Sequence, residues 1–226
     1  MIQQERIVHL NRHTTVRGDF VLYWMQASQR ARCNHALEFA IESANDLRLP
    51  LVVAFCLIDD YPEANERHFI FMLEGLKETV RELRARSIET VVTRGAPSVQ
   101  VPRIAARAAL VVTDRGYLRH QKLWRAQVAD RLQCQCIQVE TDAVVPVESA
   151  SPKAEYSAAT LRPKMGRVLL RYLVPFQDSQ PVARPLSLDE ESISLDDVAA
   201  VSRTMNLDRS VPPVAGVRGG MAAAEC

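Results

Sequence analysis

Residues 19–47, DFVLYWMQASQRARCNHALEFAIESANDL, decide how the rest of the chain is read. Phe20 to Met25 (FVLYWM) is apolar at every position, so this short strand is covered on both faces by helices. A polar break over 26–32 follows, and then a helix with apolar positions at Leu37, Ala40, Ala44 and Leu47. Open α/β sheets collect ligands at such breaks, where the loop lies at the carboxyl edge and the helix start offers N–H groups.

Working outward, the alternation repeats. A second doubly buried strand spans 50–58 (PLVVAFCLI), and an amphipathic helix over 66–86 carries Phe69, Met72, Leu73, Leu76, Val80 and Leu83 on one stripe. Strands are expected at 88–92, 110–113 and 134–139. The helix before the fourth strand reaches Ala109, with Pro102 in its first turn, where a missing N–H costs little. Another helix over 118–132 turns Trp124, Val128 and Leu132 inward. Five strands alternating with helices predict a doubly wound, Rossmann-like α/β fold with a parallel sheet. Strand order 3-2-1-4-5 places the topological switch between the first and fourth strands. The ligand crevice is expected between their carboxyl ends, with Trp24, Met25 and Gln26 on one side and Asp114, Arg115 and Gly116 on the other.

Composition limits the alternatives. Hydrophobic residues make up 47% and charged residues 24%, ordinary for a globular protein, and the net charge of +1 points to no particular partner. No apolar run approaches the roughly 20 residues of a membrane span, and the charged N-terminus, MIQQERIVHLNRHT, does not read as a signal peptide. The five cysteines, Cys33, Cys56, Cys134, Cys136 and Cys226, form no CxxC pair. Cys134 and Cys136 are expected on opposite faces of a strand, unable to share a metal, and the protein is expected to be cytoplasmic with reduced thiols. His9 and His13, in the N-terminal arm, and His35 and His68, on helices, read as solvated or core-edge residues and not as zinc ligands, and GxGxxG, Walker A, and nucleophile-elbow motifs are missing from the sequence.

The candidate crevice residues each keep a second reading. Trp24 and Met25 serve as core or as crevice wall. Arg30 and Asn34 bind an anionic or amide-bearing ligand, or else pin the loop and cap the helix. Asp114 hydrogen-bonds a heteroaromatic ring or ribose, or caps a helix or pairs with Arg115. The segment 151–173 is basic, with Lys153, Arg162, Lys164, Arg167 and Arg171 against Glu155. It reads as a solvated helix face, a phosphate-contacting surface or a docking face for a further domain. Residues 175–206 are rich in proline, serine and acid, a linker on the surface with one short helix near 195–205.

Several motifs, in order along the chain, carry a family resemblance. Tyr23-Trp24-Met25-Gln26, Ser28-Gln29-Arg30 and Asn34-His35-Ala36-Leu37 resemble the opening of class II DNA photolyases, light-driven repair enzymes for cyclobutane pyrimidine dimers. So do Val112-Thr113-Asp114 with Leu118-Arg119, Glu140-Thr141-Asp142 and Val145-Pro146-Val147. Ser151-Pro152-Lys153-Ala154-Glu155-Tyr156, Arg162-Pro163-Lys164 and Asp208-Arg209-Ser210-Val211-Pro212 complete the series. The resemblance implies an N-terminal α/β domain over 1–150 that in some members holds an antenna pigment, a deazaflavin or a folate. A basic helix and linker follow over 151–206, and 207–226 would begin an all-helical domain.

In the family that helical domain binds FAD, receives the flipped-out dimer from ultraviolet-damaged DNA and passes it an electron from light-excited flavin. None of its flavin-binding or electron-relay residues has a counterpart here, so the chain alone is not expected to catalyse repair, and Cys226 need not be the natural terminus. FAD is expected only in the full-length protein, and a helical FAD domain is the implied partner. The pigment lining is expected from Trp24, Met25, Gln26, Arg30, Asn34, Asp114 and Arg115. The alternative is a non-enzymatic module or scaffold binding a small molecule or nucleotide.

Overall fold

A computed structural model describes residues 2–225; Met1 and Cys226 lie outside them. Its centre is β2 (Phe20–Met25), buried at all six positions. β3 (Leu51–Leu57) and β4 (Glu89–Arg94) lie in parallel on one side. β5 (Ala108–Asp114) and β6 (Gln135–Val139) lie in parallel on the other. These five keep the expected order. A sixth strand, β1 (Ile7–His9), adds antiparallel to the β6 edge, with Val8 opposite Gln138. Three residues with two exposed side chains gave no periodic signal, so the N-terminal segment had read as an arm.

Alternation along the central strands feeds two cores. Val21, Tyr23 and Met25, with Leu51, Val53, Phe55 and Leu57, pack under α1 (His35–Leu47) and α2 (Glu66–Ala85). Phe20, Leu22 and Trp24, with Val52, Ala54 and Cys56, pack under α3 (Pro97–Ile104) and α4 (Arg119–Arg131). Burial of both strand faces is why no polar residue interrupts either run. Cys134 and Cys136 join the same core cluster, not opposite faces, because residues two apart on an extended chain point the same way.

The helix around Pro102 also departs from expectation. Pro97 occupies its first turn, and Pro102 lies inside it. The missing Pro102 N–H leaves the Ser98 carbonyl without its helical donor, and Arg131 Nη1 supplies one at 2.6 Å. The helix ends at Ile104, a 3-10 turn follows over Ala105–Arg107, and β5 begins at Ala108.

Beyond the sheet come α5 (Val147–Ala150) and α6 (Ala158–Tyr172). The proline-rich segment then packs against the body. Arg86 pairs with Glu38 and donates to the carbonyls of Ala31 and Ser179, while Asn45 holds the backbone of Gln180 and Val182. Further on, Ile193 N donates to Val92 O at 2.8 Å and Ser192 Oγ accepts from Val92 N, covering the outer edge of β4. α7 (Val198–Thr204) lies on α2, with Leu195, Val201 and Met205 buried in the first core. The last element, α8 (Met221–Ala224), is four residues long. Among the described residues, no helix is long and apolar enough to cross a membrane.

Candidate functional site

The carboxyl edge of the sheet has two unlike halves. Between β2 and β5, the side chain of Asp114 is wholly buried. Its Oδ2 accepts from Tyr23 Oη at 3.0 Å, Gln26 N at 3.0 Å and Ser28 N at 3.1 Å, and its Oδ1 from Ala27 N at 2.9 Å. Burial raises the Asp114 pKa although all four donors oppose it. Burial, followed by the nearby Asp114 charge, raises Tyr23 well above an ordinary phenol.

Asn34 completes this network. Its Oδ1 caps α1 by accepting from Ala36 N and Leu37 N, both at 3.1 Å, and its Nδ2 donates to Tyr23 Oη, Ser28 O and Arg30 O. His35 N donates to Thr141 Oγ1 at 2.7 Å and Glu38 N to Asn34 O. The N–H groups expected to greet a ligand at the helix start are therefore taken up by the protein itself. Beside them the His35 ring packs edge-on against Phe176, and burial, then Arg6 and Arg30, lowers its pKa to about 4. Arg30 pairs with Asp142 at 2.9 Å and donates to Thr141 O, tying the loop to the segment after β6. Arg115 sits between Glu140 and Glu148. Hydrogen bonding to Glu148 raises its pKa first, and Glu140 also accepts from Tyr117 Oη.

The open space lies in the other half, over β2 and β3. A cavity of about 440 Å³ has Trp24, Met25, Gln26 and Phe55 at the strand ends. Met72 of α2, Tyr61 of the loop after β3, and Gln121 and Trp124 of α4 also line it. Of the seven residues expected at the crevice, Trp24, Met25 and Gln26 line this space; Arg30, Asn34, Asp114 and Arg115 do not. Phe55, Tyr61, Phe69, Met72, Gln121 and Trp124 line it without having been singled out. Tyr61-Pro62 directly after the second strand was the available signal, since loops at the carboxyl edge supply such walls; Trp124 had read only as core.

The chemistry of this lining is specific. Tyr61, His120 and Trp124 form a ring cluster, with centroids 4.7 Å apart for Tyr61–His120 and 4.8 Å for His120–Trp124. Gln121 Nε2 donates to Tyr61 Oη at 3.2 Å, which leaves the Tyr61 hydroxyl proton for a guest, and burial raises the Tyr61 pKa. Gln121 can turn this way because residue 116 is glycine: a Cβ there would lie 2.3 Å from Gln121 Oε1. Gln26 Oε1 is held by Arg125 Nη1 at 2.9 Å. Burial pushes the Cys56 thiol up to about 12, so it lines the cavity as a neutral group. Among the described residues no Lys or Arg lines the cavity, and its ring-rich walls suit a flat, largely apolar guest that accepts a hydrogen bond.

Sheet order, crossovers and edge cavity together define a doubly wound α/β domain with a ligand-sized cavity at its carboxyl edge. The chain belongs to the DNA photolyase family, whose model matches residues 21–184. A deoxyribodipyrimidine photo-lyase of Methanothermobacter thermautotrophicus is 50% identical over 178 residues, covering 78% of this chain and 40% of that protein. One from Potorous tridactylus is 30% identical over 224 residues, covering 97% and 42%. The chain thus spans about two fifths of the length of these curated relatives. Among solved structures, an archaeal photolyase from Sulfolobus tokodaii superposes with TM-score 0.67 at 14% identity, over 88% of this chain and 44% of that one. That protein's structure holds two FAD molecules and was described as implying a novel light-harvesting cofactor. The cryptochrome of Synechocystis superposes with TM-score 0.62 at 14% identity, over 77% and 39%. Both likenesses speak for the fold.

Proposed function

We propose that this chain is the antenna-bearing N-terminal domain of a class II photolyase, with the β2–β3 cavity as the seat of its pigment. The observation that carries this reading is a ring-lined cavity of about 440 Å³ at the carboxyl edge of a photolyase-family sheet. The pigment is a deazaflavin or a folate, and its task is to absorb light and pass the excitation onward. Trp24, Met25 and Gln26 touch it; Tyr61 donates a hydrogen bond to it; Tyr61 and Trp124, in edge contact with each other at 5.9 Å, form one ring wall against it. Arg30, Asn34, Asp114 and Arg115 act at one remove, by fixing the 26–34 loop and the segment after β6.

The full-length protein repairs cyclobutane pyrimidine dimers in ultraviolet-damaged DNA through a helical FAD domain. In this reading residues 1–150 form the antenna domain, 151–206 the helix and linker, and 207–226 the entry to the helical domain.

The test uses two built-in reporters. The chain has two tryptophans, Trp24 and Trp124, and both line the cavity. Titration with a deazaflavin or a folate is expected to quench their fluorescence while the visible band co-elutes with the protein. A pigment that neither quenches nor co-elutes would defeat the antenna reading.

A further inference from the structure

One helix of the fold lacks a second layer. α6 packs through Leu161, Met165, Val168 and Tyr172, which are at least partly covered, and Tyr172 Oη bonds to Ser149 Oγ of α5. Its opposite side carries Ala159, Pro163, Gly166, Leu170 and, one residue past its end, Leu173, all exposed. Leu170 is 83% exposed and Leu173 56%. The steps between them are four, three, four and three residues, the repeat of a helix-pairing seam. A Cβ on Gly166 would meet nothing within 4 Å, so another backbone can approach there.

The charges beside the seam say what kind of helix fits. Lys164 and Arg171 are engaged by Glu155 and Glu5. Arg162 and Arg167, one on each flank, are exposed and make no ion pair or side-chain hydrogen bond among the described residues. Pairing α6 with a second copy of itself would bring unpaired guanidinium groups together, which disfavours self-association. We infer that this face is the docking seam for a partner helix with apolar residues along its own seam and acidic residues on its flanks. The inference stands apart from the pigment reading, since α6 contributes nothing to the cavity lining.

The probe is a synthetic three-heptad helix with Leu at its seam positions and Glu on its flanks, compared with a twin carrying Lys instead of Glu. Fluorescence anisotropy with the whole chain is expected to show binding of the Glu peptide, weakened by salt. Leu170→Asp should lower its affinity by about tenfold or more. The double variant Arg162→Glu/Arg167→Glu should reverse the preference to the Lys peptide, an effect that loss of folding would not produce. All three positions are exposed, and circular dichroism checks that the variants fold. Failure of the Glu peptide to bind, equal binding of the two peptides, or indifference to Leu170→Asp would overturn the inference. So would a dimer in sedimentation equilibrium that Leu170→Asp dissolves, or tighter binding of duplex DNA that Leu170→Asp leaves intact.

Discussion

The two halves of the carboxyl edge share β2 and differ in almost everything else. On the β5 side polar groups converge, and each meets another: one buried carboxylate holds four donors, and one asparagine satisfies two N–H groups and two carbonyls as well as the Tyr23 hydroxyl. On the β3 side large apolar side chains converge around open space. Polar residues at a topological switch do not by themselves mark a ligand site. Once they bond one another, they build the wall, and the guest's room moves to the neighbouring strand.

The strongest way to break this contrast is Asp114→Ala. It leaves the Tyr23 hydroxyl and the N–H groups of Gln26, Ala27 and Ser28 without their acceptor. Each unmet buried donor costs about 1–3 kcal/mol and the loop recovers part by relaxing, so about 3–5 kcal/mol of stability should go in urea denaturation. Asp114→Asn should lose less, because one oxygen can still serve the three donors now on Oδ2. A loss below about 1 kcal/mol for the alanine variant would mean that the loop does not depend on this carboxylate. Asn34→Ala comes next, removing the α1 cap together with donors to two loop carbonyls. About 2 kcal/mol is expected, the upper end for a cap.

The fold was legible in the sequence because its evidence is repetitive: FVLYWM and PLVVAFCLI lack polar alternation, and amphipathic stripes separate the strands. β1 was not legible, since three residues at an edge have too little burial to leave a pattern. The site was half legible. The cavity opens beside the loop after β2, and Trp24, Met25 and Gln26 line it. What the sequence could not say was whether Asp114 and Asn34 point at a guest or at each other's neighbours. A carboxylate that binds a ligand and one that binds a loop are the same letter, and only the placement of Tyr23 Oη and three backbone amides separates them.

The open half is probed by Trp124→Ala. Removing one ring wall should weaken pigment binding by about tenfold, the scale of a single aromatic contact. Stability should change less than with Asp114→Ala, because Trp124 is only partly buried. Equal affinity for wild type and variant would show that the pigment does not rest against the Tyr61–Trp124 wall.

A pH scan separates the halves another way. The folded pKa of His35 is lowered to about 4 from an ordinary 6.5, so between those values the unfolded chain binds more protons than the folded one. Stability should therefore fall as pH drops from about 6.5 toward 4 and should be unaffected by this group above that window. His35→Gln should flatten that stretch of the curve in urea denaturation. A wild-type curve already flat there would mean that the ring is not held neutral.

The smallest effect is expected at Arg30, where the two readings of the edge diverge most in affinity and least in stability. The Arg30–Asp142 pair is 25% and 33% exposed, a setting in which ion pairs contribute about 0–1 kcal/mol. Arg30→Ala should accordingly cost less than about 1 kcal/mol in denaturation. If Arg30 only fastens the loop, pigment affinity should drop by no more than a few-fold and the drop should be the same for charged and uncharged pigments. If Arg30 swings from Asp142 to meet an anionic guest, a pigment with an acidic tail should lose far more affinity than its tail-free form. Measuring both pigments against Arg30→Ala thus decides whether the polar half of the edge contributes to binding directly or only through the loop it holds.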